Sequence, residues 1–314
     1  MRIILANPRG FCAGVNMAIE CVDRVLQHQG PPVYVFHEIV HNKHVVGDFI
    51  SRGVVFVDSI EEVPEGATVV YSAHGVSPEI RAVSKGRNLV EIDATCPLVT
   101  KVHHEVKNFA RKGYHIIFIG HRNHDEAVGT VGEAPESITV VESVEEVEAL
   151  AFPQDAKLCY VTQTTLSMWD AQTVMGALKA KYPGIKPPPT DDICYATTNR
   201  QNAVNELGGE AQLVLVVGSQ NSSNSKRLAE MAQQAGKAAY LIDDQRELEP
   251  EWFRGVDTVF ITAGASAPER LVQDLVTRIQ EQFGGEVEER TLVEETMSFE
   301  LPKPLRRLNV VGSN

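Results

Sequence analysis

One pattern recurs three times along this chain and sets its class of fold. Each copy opens on a cysteine, Cys12, Cys96 or Cys194, at the end of a short lead segment. A helical stretch follows over 15–29, 98–111 and 197–207. In the first of these Val15, Ala18, Ile19, Val22 and Leu26 recur at helix-face spacing. Next comes a β-branched run at 33–36, 116–119 and 213–217. Continuous apolar runs of this length, bounded by turn residues, predict buried strands of a parallel sheet. Each run ends in a polar cluster: HEIVHN at 37–42, GHRNHDE at 120–126 and GSQNSSNS at 218–225. The copies continue through VDSIEEV (57–63), VESVEEV (141–147) and the looser IDDQREL (242–248). A second strand then closes in a small-residue turn, within VVYSAHGVSPE (69–79), CYVTQTTLSMW (159–169) and VFITAGASAPE (259–269).

A shared order of elements at similar spacing marks three diverged copies of one βα unit. The predicted fold class is α/β, with three similar modules on parallel-sheet cores. Such modules can gather about a pseudo-threefold centre or form a linear array. The expected modules are 1–95, 96–192 and 193–283, with strand 1–11 free to pack with the third, and 284–314 as a carboxy-terminal extension. Consecutive prolines in YPGIKPPPTDD (182–192) predict a linker, and the first boundary falls near 88–93.

At 314 residues and 43% hydrophobic content, each module can bury a core. The apolar run at 3–6 is too short for a signal peptide and no stretch is long enough to span a bilayer, so a soluble, cytoplasmic protein is expected. A net charge of −13 without a lysine/arginine run disfavours nucleic acid as the main partner. Five widely spaced cysteines in such a chain point to metal binding or catalysis rather than disulfides.

In parallel α/β sheets ligands bind beyond the carboxyl ends of the strands, where the polar clusters lie. Each copy adds a cysteine near a helix start, where the macrodipole favours thiolate; in DATCPLV that start is marked by Pro97. Three converging thiolates suit a [4Fe–4S] cluster with one iron open to substrate, and a three-cysteine zinc site stays open as the alternative. Cys21 and Cys159 break the pattern and read as core residues. Ser222, Ser223, Asn224, Ser225 and Ser266, at helix starts, make an anion site or plain helix caps. His41, His74, His121 and His124 lie in the same turns and can donate to an anion. Glu126 has the acid–base role in its cluster, with Asp125 as its solvated neighbour, and Thr164 and Thr165 as groups that pass protons or orient it.

The strings ANPRGFCAGV, HEIVHN, SAHGVS, DATCPLVTKVH, TQTTLS, DDICYATTNRQ, GSQNSSNS and TAGASAP resemble the IspH/LytB family of 4-hydroxy-3-methylbut-2-enyl diphosphate reductases, in order from about residue 1 to about residue 283. The resemblance implies a trefoil of three modules around a central cleft. It implies the last step of the non-mevalonate isoprenoid route, in which two electrons and two protons remove the substrate hydroxyl as water, giving isopentenyl and dimethylallyl diphosphates. It places a [4Fe–4S] cluster on Cys12, Cys96 and Cys194, with the substrate's C4 oxygen on the iron lacking a cysteine. His41, His74, His124, Ser222, Ser223, Asn224 and Ser266 would hold the diphosphate. Glu126 would supply the proton, with Thr164 near the alcohol and Asn199 in the pocket wall. Arg122 and Asp125 are unfamiliar neighbours of the matched His124 and Glu126.

The family's electron donors are ferredoxin or flavodoxin, both acidic, so a local basic patch is expected; Arg9, Lys43, Arg200 and Lys226 are scattered candidates. A hydro-lyase with an open iron and a non-catalytic cluster sensor are the rival readings.

Overall fold

The computed structural model describes residues 1–306. Twelve strands occur among them, all paired in parallel. They are β1 (Arg2–Asn7), β2 (Val33–Phe36), β3 (Val54–Val57), β4 (Thr68–Tyr71), β5 (Val90–Asp93) and β6 (His115–Ile119), then β7 (Ile138–Val141), β8 (Leu158–Thr162), β9 (Leu213–Val217), β10 (Ala238–Ile242), β11 (Thr258–Ala263) and β12 (Glu286–Thr291). The α-helices are α1 (Ala13–Gln29), α2 (Lys43–Ser51), α3 (Pro78–Gly86), α4 (Pro97–Arg111), α5 (Asp125–Val131) and α6 (Val144–Ala149), then α7 (Met168–Lys181), α8 (Tyr195–Leu207), α9 (Ser223–Gln234), α10 (Glu269–Phe283) and α11 (Lys303–Arg306).

The chain divides into two compact units. One comprises 1–15, 41–46 and 195–297, and its sheet runs β10-β9-β11-β1-β12. The other comprises 16–40, 47–194 and the described residues from 298 on, with two sheets, β3-β2-β4-β5 and β7-β6-β8.

The sequence repeat survives as topology. In every sheet the first strand of a copy is flanked by its second and third, as β3-β2-β4, β7-β6-β8 and β10-β9-β11. The segment leading into a cysteine takes the place beyond the third strand of another copy. β1 pairs with β11 (Leu5 opposite Ile261), and β5 pairs with β4 (Asp93 opposite Tyr71). In the middle sheet only Lys186 does so, bonded to Leu158 and Tyr160 through backbone N–H and C=O at 3.0 Å each. Pro187, Pro188 and Pro189 then follow, and without N–H groups they cannot extend the ladder. The stretch expected as a linker thus touches the sheet at one bridged residue.

Burial on both faces explains the uninterrupted apolar runs. Leu213, Leu215 and Val217 pack with Leu271, Val272, Leu275, Val276 and Ile279 of α10. Val214 and Val216 face the opposite layer, with Ala203 and Val204 of α8 and Leu228, Ala229 and Ala232 of α9. Each fully buried aliphatic side chain there contributes about 1.5–3 kcal/mol. Cys159 sits in the equivalent layer of the middle sheet beside Val102, Val106 and Phe118.

The extension opens with the edge strand β12, whose Glu286 lies opposite Arg2 of β1. Arg2 and Arg290 each bond to Glu210 and Glu288 across this exposed edge. Charged edges of this kind discourage pairing with other chains.

Ser225, fully buried in the first turn of α9, is wedged between the strand ends at Gly218 and Gly264. A Cβ at either glycine would fall inside van der Waals contact with its side chain. Gly264→Ala is expected to cost about 1–3 kcal/mol by overpacking. In urea unfolding this reads as a lower midpoint at unchanged slope.

Candidate active site

The three repeat cysteines are held alike, each judged within its own sheet. The Cys12 N–H donates to Ala265 O (3.1 Å), the Cys96 N–H to Ala73 O (3.0 Å) and the Cys194 N–H to Thr164 O (3.0 Å). Each acceptor lies two residues past the end of β11, β4 or β8. Each thiol thus stands at a carboxyl strand end, and each cysteine directly precedes or lies one residue before a helix. All three are half-buried and form no disulfide among the described residues, whereas Cys21 and Cys159 are fully buried. Burial pushes the thiols of Cys21 and Cys159 up to about 12, so both stay protonated core groups. Three half-exposed soft donors in equivalent positions, two others excluded by burial, fit a thiolate-ligated iron–sulfur cluster.

Glu126 and Thr164 come together in the second unit. Glu126 is only 1% exposed. The Thr164 N–H donates to its Oε1 (2.7 Å) and the Thr164 hydroxyl to its Oε2 (2.8 Å). Burial pushes the Glu126 carboxyl up to about 7; the two bonds from Thr164 pull it down and the charge of Asp192 adds to the rise. A group that titrates near neutrality suits general acid work. Thr164 also links this carboxyl to the Cys194 loop, because its own carbonyl accepts the Cys194 N–H.

His124 caps α5: its Nδ1 accepts the Glu126 N–H at 3.1 Å. In the neutral ring the hydrogen is therefore on Nε2. His74 packs edge-to-face on His124, with ring centroids 5.6 Å apart. Asp125, expected as a solvated neighbour, lies 3.9 Å from both His37 Nδ1 and His74 Nδ1. Close packing of α5 depends on Gly129 and Gly132, which abut the backbone at Gly75 and the Ser77 side chain. Thr165 receives a bond from Gln163 Nε2 (3.1 Å). Gln163, buried and unremarked in the sequence, also accepts the His121 N–H at 2.9 Å.

A second cluster forms in the first unit. Ser222 caps α9 by accepting the Ser225 N–H, and the first turn of that helix has no acidic residue. The Ser266 hydroxyl donates to the His41 carbonyl (2.9 Å) and lies 3.4 Å from Ser222 Oγ. Ser223 is the first helical residue, and Asn224 is 3% exposed. Both polar atoms of the Asn224 side chain are buried without a partner among the described residues. Leaving such a group unsatisfied costs about 1–3 kcal/mol, which a ligand oxygen bonded to it would offset. A helix start with hydroxyls, an unsatisfied amide and no carboxylate favours an anion.

Asn199 Nδ2 donates to Glu295 Oε1 at 3.0 Å. Of the basic-patch candidates, burial rules out Arg200 alone. Arg200 has no exposed surface, and Arg9 and Lys43 are tied to Glu269, Asp243 and Glu247. Lys226 is exposed. Asp192 went unrecognised within the proline-rich stretch; its Oδ2 accepts the Thr162 N–H (2.9 Å) and its Oδ1 pairs with Lys101 Nζ (2.8 Å). The one signal for it in the sequence is its place two residues before Cys194.

Three half-buried cysteines held alike at strand ends, one of them linked through Thr164 to a buried carboxyl, suit an α/β enzyme that holds a metal group by thiolates. A sequence model described as LytB protein matches residues 3–280, and the chain belongs to that family. It is 55% identical over 306 residues to the 4-hydroxy-3-methylbut-2-enyl diphosphate reductase of Rhodopirellula baltica, covering 98% of this chain and 96% of the relative. Its structure is similar to the E-1-hydroxy-2-methyl-but-2-enyl-4-diphosphate reductase from Plasmodium falciparum, with a TM-score of 0.95, 42% identity and coverage of 97% and 96% of the two chains. A second solved reductase, described as the terminal enzyme of the non-mevalonate pathway, matches with a TM-score of 0.64 and 34% identity, over 90% of this chain and 100% of the other.

Proposed function

We propose that this chain catalyses the reaction for which its relatives are named, the reduction of 4-hydroxy-3-methylbut-2-enyl diphosphate, as the terminal step of the non-mevalonate pathway. It is an oxidoreductase. Two electrons and two protons convert the allylic alcohol into isopentenyl or dimethylallyl diphosphate plus water. The observation that carries the reading is the chain of bonds from Glu126 through Thr164 to the Cys194 loop.

An iron–sulfur cluster of the [4Fe–4S] type, held by Cys12, Cys96 and Cys194, would supply the electrons and a Lewis-acidic iron. This chain's own residues do the rest. With Glu126 protonated, its Oε2–H donates to Thr164 Oγ1, and the Thr164 hydroxyl hydrogen is released to face the substrate alcohol. Loss of that alcohol as water then takes a proton from Glu126 through the hydroxyl. His124 Nε2–H donates to a substrate oxygen, with His74 beside it. His41, Ser222, Ser223, Asn224 and Ser266 take the diphosphate, and Asn199 lies in the pocket wall. The electrons would come from a small acidic carrier such as ferredoxin or flavodoxin, in the cytoplasm. Among the described residues no helix is long and apolar enough to cross a membrane.

The test is iron and acid-labile sulfide per chain after anaerobic purification, followed by titration with the hydroxylated diphosphate and turnover with a chemical reductant. About four irons and four sulfides, a spectrum that shifts with substrate and reductant-dependent formation of isopentenyl or dimethylallyl diphosphate are expected. Zinc in place of iron, or water loss without reductant, would overturn the reading.

A further inference from the structure

Arg200 is the largest fully buried side chain among the described residues. All five of its bonds are made within the first unit. Nε and Nη2 donate to Gly10 O at 3.2 and 2.7 Å, and Nη1 donates to Ala196 O at 3.0 Å. Nη1 and Nη2 also bond to Glu295 Oε1 and Oε2, at 3.0 and 3.2 Å. Gly10 sits two residues before Cys12, with φ of +65°, a conformation that favours glycine. Ala196 lies two residues after Cys194 in the chain. Beside them, the Tyr195 hydroxyl accepts the Ala13 N–H at 3.2 Å. Glu295, largely buried, comes from the extension beyond the segment the family model matches, and Asn199 braces it.

A buried guanidinium is tolerated only when it is paired and its donors are used. Here the paired carboxylate comes from the extension, and two of the donors converge on one carbonyl beside a cysteine. We propose that Arg200 and Glu295 are a positioning pair for Cys12: the extension, through Glu295, aims a buried guanidinium at the Gly10 carbonyl and so fixes the loop that presents the thiolate. The proposal rests on the cluster reading above for what Cys12 binds, but not for the fixing of the loop. Arg200 touches neither substrate nor reacting atoms. Its fork matters because lysine, a compact ammonium with three donors, cannot reproduce five bonds spread over a planar group.

The experiment compares the full-length wild-type protein with Glu295→Gln, Arg200→Lys and the control Glu294→Gln, whose carboxylate bonds Asn7 on the same extension. Three quantities are read: amide exchange at Cys12 and Ala13, iron release to a chelator, and the cluster midpoint potential. Glu295→Gln is expected to speed exchange at both amides and iron release by at least tenfold. Its potential should shift to a more positive value, since a nearby negative charge is gone. Glu294→Gln should match the wild type. Glu295 lies at the margin of the core, so this variant keeps the test open if Arg200→Lys fails to fold. Wild-type exchange and iron release in Glu295→Gln would overturn the pair, as would the same change in Glu294→Gln. Faster exchange without a change in potential would overturn any influence on the cluster. A wild-type chain lacking iron would overturn the cluster reading, and the exchange rates would then decide the pair alone.

Discussion

Glu126→Gln should retain iron and bind the diphosphate while turnover falls by roughly 10²–10⁴-fold, the usual weight of a general acid. Glutamine has the shape of the protonated carboxyl. Its oxygen can accept the Thr164 N–H and its amide can donate to the Thr164 hydroxyl, so the link to the Cys194 loop should survive. What it lacks is a proton to give. Single-turnover product formation in the pre-reduced enzyme separates this loss from slow electron delivery. The wild type should lose rate as pH rises through about 7, where Glu126 deprotonates, and the variant should lack that limb. Near-normal turnover in the variant would remove Glu126 as the proton source.

The same group carries a stability signature whose sign follows from its direction of shift. The folded-state value, about 7, lies above the ordinary 4.5 because burial disfavours the charge. The folded chain therefore holds this proton more tightly than the unfolded chain. The contribution is fully present below about 4.5 and is lost as pH rises through 7. Glu126→Gln removes that dependence, so its denaturant midpoint should exceed the wild type's at pH 8 and approach it at pH 5. An equal difference at both values would mean that the carboxyl is ionised throughout.

Legibility in the sequence followed burial. Runs such as Leu213–Val217 are covered on both faces, so hydrophobicity alone marks them as strands. β12 is an exposed edge whose glutamates are held by arginines, and Val287 is its one apolar residue. Lys186 pairs as a strand for one residue before three prolines end the ladder, so composition there reads as linker. The cysteines stood out because the repeat marked them; their shared clamp on the carbonyls of Ala265, Ala73 and Thr164 needed coordinates. Glu126 could be named, but its protonation depends on the depth at which it is buried. Arg200 was misread because an isolated arginine usually lies at the surface. Its partners at positions 10, 196 and 295 are brought together only by the tertiary fold.

Cys194→Ser should abolish the visible cluster spectrum and turnover together, leaving the fold in place. The backbone bond from residue 194 to Thr164 O does not involve the thiol, so the loop should keep its position. A serine hydroxyl is a harder and far less acidic donor than a thiol, and it holds iron poorly at neutral pH. Iron per chain should fall far below the content of about four expected of the wild type, with loss of the whole cluster. Cys159→Ser is the matched control. It places a hydroxyl in the apolar layer of Ile116, Phe118 and Val161, with an expected cost of about 1–3 kcal/mol. Its denaturant midpoint should fall while its iron, sulfide and specific activity stay at wild-type levels. The two variants thus separate ligand loss from destabilisation, since each removes one sulfur but only one of them lies at a sheet end. A fully iron-loaded, active Cys194→Ser protein would sink the three-thiolate assignment, whereas iron loss in Cys159→Ser alone would move the ligand set into the core.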